Sequence, residues 1–279
     1  MHRPIRGVMI RQNQKLKPPN DGEHGVMCWN QSRWAFSSLL LIVVLTLQQA
    51  PAETTVPVGP SFRIETEIYH EPSGTPVSRH KILFHSGVVY DLFEKGGSVN
   101  TVFDPFRQRV ILLHSQQEVQ AEIPTQHLID VTAQLSVAAQ QHDRAASFGL
   151  EAEVAEAEDR FSVQFGACRY DVTTQPVTNP EIAIAFHDFS VWAARMNVLH
   201  RRGVPPFGRM KLGESIASAG RLPLDLVLTI EEGRNKQSYR AHHLLIERLG
   251  DLDRQAIQRI GSQMANFRKV DLEDFPMDD

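Results

Sequence analysis

The 279-residue chain carries 29 Lys and Arg against 33 Asp and Glu, a formal net charge of −4, and only two cysteines. This acidic balance, with no basic run interleaved with aromatics, excludes nucleic acid as a partner, because phosphate binding needs a field of positive charge. Two cysteines exclude a disulfide framework, so the fold must rest on its apolar core.

The first 52 residues read as a targeting segment. Arg33 precedes an apolar run over 34–47, and Ala50-Pro51-Ala52 supplies the small-x-small pattern of a signal-peptidase site, so the mature chain is expected to begin at Glu53. The 26 residues ahead of Met27 make a long n-region, and Met27 is an alternative translation start. An uncleaved membrane anchor is the competing reading, but a spanning helix needs about 20 apolar residues and this run is shorter. Cys28 lies before the run and is not placed for lipidation. Export to the periplasm or cell envelope is therefore expected. Cleavage leaves 23 basic against 31 acidic side chains, a net charge of −8, with Cys168 as the one remaining cysteine. A lone cysteine of this kind reads as a small core residue.

Residues 62–123 read as antiparallel strands joined by tight turns. Phe62, Ile64, Thr66 and Ile68 share one face and alternate with Arg63, Glu65, Glu67 and Tyr69. Turn signals follow at 71–76, Ser86-Gly87 and 95–98, separating runs over 79–86, 88–94, 99–103, 109–114 and 119–123. Val110, Ile111, Leu112 and Leu113 are consecutive, which predicts a strand covered on both faces.

Thr125 offers an N-cap for a helix over 126–141, where Leu128, Val131, Leu135 and Ala138 form a stripe expected to lie on the sheet. Residues 148–160 are acidic and Ala-rich and read as a solvated helix or loop. Strands are expected again over 161–165 and 168–173, with Gly166 as the turn. Asn179, Pro180 and Glu181 form a well-specified helix start. Beyond them Ile182, Ala185, Phe189, Trp192, Met196 and Leu199 make one stripe, and Ile184, Val191 and Val198 a second apolar line beside it. Such a helix is either packed between layers or lines a cavity. Residues 203–208, with Pro205-Pro206, form a bend or flap before a short helix over 209–219. A hairpin over 222–249 turns at 233–236, and a last helix, capped by Asp251, carries Leu252, Ala256, Ile260, Met264 and Phe267. Residues 271–279 read as a loose acidic tail.

These elements predict a single α+β domain over 53–270, a curved and mostly antiparallel sheet forming a partial barrel covered by two or three helices. No nucleophile elbow, HExxH, paired-Cys motif or phosphate loop is present, and no catalytic residue, metal ligand or cofactor is assigned. Ten histidines remain after cleavage. His80 and His85 point to opposite sheet faces, as do His242 and His243, so a metal site would have to be assembled across strands, for instance from His80, His114 and His243. His187-Asp188 reads as a polar helix edge.

An export signal, the meander over 62–123, a helix and returning strands together resemble the LolA/LolB/LppX-like group of bacterial envelope proteins. That resemblance spans most of the mature chain, rests on element order, and implies a curved sheet and helical lid around an apolar cavity. The expected function is binding of a lipid or acyl ligand between sheet and helices, with Ile182, Phe189, Trp192, Met196 and Leu199 as the ligand-binding residues. The alternatives are a non-catalytic module that meets another envelope protein, and a metal-dependent hydrolase built on strand histidines.

Overall fold

The computed structural model describes residues 59–200 and 203–277, all within the unit Thr54–Asp279. The targeting segment and the expected mature start at Glu53 lie outside the described residues. Among those described there are twelve strands and four helices. β1 (Phe62–His70), β2 (Ser78–His85), β3 (Val88–Lys95), β4 (Val99–Asp104), β5 (Arg109–His114) and β6 (Val119–Pro124) run into α1 (Thr125–Gln141). β7 (Val154–Ala157), β8 (Arg160–Phe165) and β9 (Cys168–Pro176) precede α2 (Pro180–Leu199) and α3 (Phe207–Ser218). β10 (Arg221–Glu232), β11 (Asn235–Ile246), α4 (Asp251–Asn266) and β12 (Arg268–Lys269) follow.

The fold is α+β, as the patterning predicts. All twelve strands join one open sheet in the order β12-β6-β5-β4-β3-β2-β1-β11-β10-β9-β8-β7. Its one parallel pairing is β12 on β6. β1 is central: it pairs with β2 on one side and with β11 on the other, so the C-terminal hairpin joins the N-terminal meander to β7–β9.

Period-two alternation along the meander resolves into two cores. Phe62, Ile64, Ile82, Phe84, Phe103, Val110 and Leu112 cluster with Ile182, Phe186, Phe189 and Met196 of α2. Leu83, Val102, Ile111 and Leu113 point the other way, toward Ala256 and Ile260 of α4. β5 is buried residue after residue because a helix covers each face. On the α2 side a third cluster packs Leu212 and Ile216 of α3 on Phe161, Tyr170, Val172 and Leu226.

Several local expectations are corrected. α1 begins one residue early, with Pro124 at the cap, because the Thr125 amide is already bound to the Gln108 carbonyl at 2.9 Å. Its buried face is Thr125, Leu128, Thr132 and Ala139, and it packs chiefly on α2. Thr132 can turn inward because its hydroxyl donates to the Leu128 carbonyl at 2.8 Å. The acidic stretch yields a further strand, β7, paired with β8 at the sheet edge. α4 is capped at Gly250, whose amide donates to Asp253 at 2.9 Å; Asp253 also accepts two hydrogen bonds from Arg63 at 2.9 Å each. That anchor turns the buried stripe to Asp253, Ala256 and Ile260, leaving Leu252 78% exposed. β12 pairs with β6, the buried Gln120 amide reaches the Met264 and Phe267 carbonyls, and Phe275 enters the α2-side core.

Two-sided cover makes a prediction. Leu112→Ala and Leu113→Ala face opposite helices, and each should cost about 2–5 kcal/mol in urea unfolding. A near-neutral Leu113→Ala would mean that α4 does not cover this face.

Candidate functional site

A cavity of about 520 Å³ lies between the sheet and α2. Its floor is drawn from eight adjacent strands, β5 through β9, which at the usual strand spacing extend over about 34 Å. Alternation is what delivers these side chains: Thr66 and Ile68 of β1, His80 and Ile82 of β2, Asp91 and Phe93 of β3, and Ala241 and His243 of β11 all point inward at two-residue intervals. The roof is α2, placed by its cap, where the Asn179 side chain accepts from the Glu181 amide at 3.0 Å. Phe186, Phe189, Ala193 and Met196 face down from it.

The two ends differ. Toward β4 and β5 the wall is Val99, Thr101, Phe103, Leu112, Phe189, Met196 and Met277, mainly apolar. Toward β9 and α3 it is Tyr170, Arg209 and His243, with Leu226 and Leu228 of β10 beside them. α3 comes close enough to place Arg209 because glycine stands at two packed positions. A side chain at Gly208 would collide with the Phe165 ring, and one at Gly213 would lie 2.9 Å from His187 Nδ1 and 3.3 Å from Arg209 Nη1. Between the ends, His80 Nδ1 meets Asp91 at 2.8 Å and His243 Nδ1 meets the Thr66 hydroxyl at 2.9 Å.

Burial governs protonation here. Desolvation pushes the Tyr170 phenol up to about 12, with the Arg209 charge opposing it. Desolvation, reinforced by Arg209 and His242, presses His243 down to about 3. Burial also lowers His187, partly offset by Asp188 and Glu214, and lowers Arg209, which remains a cation.

The five predicted ligand-binding residues divide. Phe189 and Met196 line the cavity. Ile182 is buried in the core beside it, and Leu199 packs against that core without lining the cavity. Trp192 lines a separate groove of about 570 Å³ with Phe84, Val89, Phe103 and Ile184, under an Arg195 guanidinium 4.5 Å from its ring. Phe189 and Phe103 line both spaces and form the wall between them. The second apolar line is not a buried face, since Ile184 is 53% exposed. Ahead of α3, Val204 packs on the β8–β10 cluster and Pro206 is buried. His80 and His243 reach the cavity whereas His114 bonds Ser98 and stacks edge-on to Phe275; among the described residues no three His, Cys, Asp or Glu are grouped to hold a metal.

Sequence reasoning missed Phe186, Tyr170 and Arg209 as lining residues. One signal for Arg209 existed: it shares the 209, 212, 213, 216 spacing of the buried face of α3. No protein-family model matches the chain, and no curated protein matches it.

The histidine supplies a test. His243 is neutral in the fold and takes a proton on unfolding below about pH 6.5, so its contribution is complete above that value and is lost as pH falls toward 3. Between pH 6 and 5 wild-type stability should fall more steeply than that of His243→Asn, the difference approaching about 1.4 kcal/mol per pH unit. Equal slopes from urea unfolding at each pH would show that the ring is not desolvated.

Proposed function

We propose that the protein binds a lipid, an acyl chain or a similar apolar molecule between α2 and the sheet, and does so as an exported protein of the bacterial envelope. The cavity carries this reading. Its volume of about 520 Å³ falls within the range of small-molecule sites, and it combines apolar walls with a few convergent polar groups, the usual makeup of such sites. The cap on α2 and the covered β5 hold roof and floor on regular elements, so the space is formed before any ligand arrives. The resemblance to the LolA/LolB/LppX-like group and the N-terminal targeting pattern support the same reading.

Ala241 is a small residue on the floor, in β11, where an aromatic side chain suits the strand. Ala241→Phe should fill the cavity and weaken binding of a fluorescent fatty acid at least tenfold while the circular dichroism of the sheet is unchanged. Trp192→Ala, in the separate groove, should bind within about twofold of wild type. The reverse pattern would move the ligand to the groove, and no binding by wild type would sink the proposal.

A further inference from the structure

The charged lining of the cavity is unevenly partnered, and on the binding reading above this constrains what enters. Asp91, Arg209 and Arg240 are its carboxylate and guanidinium groups. Asp91 is answered by His80 at 2.8 Å, and Arg240 by Glu71 at 3.1 Å and Asp225 at 3.6 Å. Arg209 makes no hydrogen bond and no ion pair among the described residues. Its surroundings come from four elements and offer no counter-charge. Tyr170 of β9 and His243 of β11 stay neutral near pH 7, and His187 of α2 is driven the same way by burial. Asp188 and Glu214 act on His187, and neither acts on Arg209. A guanidinium drawn partly out of water is costly unless an anion meets it, and its planar fork fits a carboxylate or a phosphate equally well.

We infer that the ligand is an amphiphile with an anionic head group, carboxylate or phosphate, seated on Arg209 beside Tyr170, its chain running under α2 toward Phe103 and Leu112. The strand order supports the direction. Tyr170 stands on β9 at one end of the eight-strand floor, and Phe103 and Leu112 stand on β4 and β5 at the other. The cationic end and the mainly apolar end of the cavity thus match head and tail.

The test is calorimetric titration of the full chain and its Arg209→Met variant with dodecanoate, dodecyl phosphate and methyl dodecanoate, each below its micellar concentration at pH 7.5. Wild type should take one or both anions at least tenfold more tightly than the ester, and the preferred anion identifies the head group. Arg209→Met should lose that preference and keep the ester affinity, which also reports that it is folded. If that variant does not fold, Arg209→Lys, with the charge but not the fork, should narrow the preference severalfold. Equal affinity of wild type for all three, or a preference that survives the substitution, overturns the head-group inference and leaves the cavity reading standing. No binding of any of the three to wild type overturns both.

Discussion

The ladder between β1 and β11 is the constraint on which the molecule depends. It runs for eight residue pairs, from Arg63 opposite Ile246 to His70 opposite Tyr239, and joins segments more than 160 residues apart. Without it the meander and the β7–β11 segment would be separate sheets, each with an open edge. With it they become one surface, and a single cavity can extend from β5 to β9. The Thr66–His243 hydrogen bond lies on the cavity side of this ladder and the Arg63–Asp253 pair on the α4 side, so both faces are tied at the same strand. Pairings this distant close large loops before they gain contacts, so the ladder is expected to form late in folding.

α2 then decides what the surface can hold. It meets the sheet core with Ile182, Phe186 and Phe189, leaves Trp192 over a groove, and keeps Ala193 and Met196 above the cavity. One helix thus borders a packed core and two open spaces, which accounts for its wide apolar surface. Small residues such as Ala193 keep the roof high where larger ones would fill the void. Phe189, held edge-on by Phe84 and Phe103, separates cavity from groove.

The electrostatics follow from the same enclosure. Removing water from the α3 end leaves His243 and Tyr170 uncharged and Arg209 charged, because a guanidinium does not give up its proton where an imidazole or phenol readily stays neutral. Lys211, two residues along the same helix, escapes this by turning its ammonium to the Leu150 and Ala152 carbonyls. Two basic residues on one short helix therefore meet opposite environments.

Much of this was legible in the sequence, and for local reasons. Alternation, glycine and proline turns and the Asn179-Pro180-Glu181 cap determined the strands of the meander and α2 to within a residue or two, and the second strand of the later hairpin to within three, because each is written in neighbouring side chains. The run Val110 to Leu113 even announced cover on both faces. Tertiary structure alone decided which partner each apolar stripe met. α1 turned Thr132 inward, α4 left Leu252 in water, and the acidic residues near Val154 paired at an edge. Phe275 entered the core beyond a parallel pairing of only two residues. Periodicity states that a face is apolar; it does not state what lies opposite. Cavity, groove and an Arg209 unpaired among the described residues exist only in the spaces between elements brought together by the β1–β11 ladder, and those spaces depend on contacts between residues far apart in the chain.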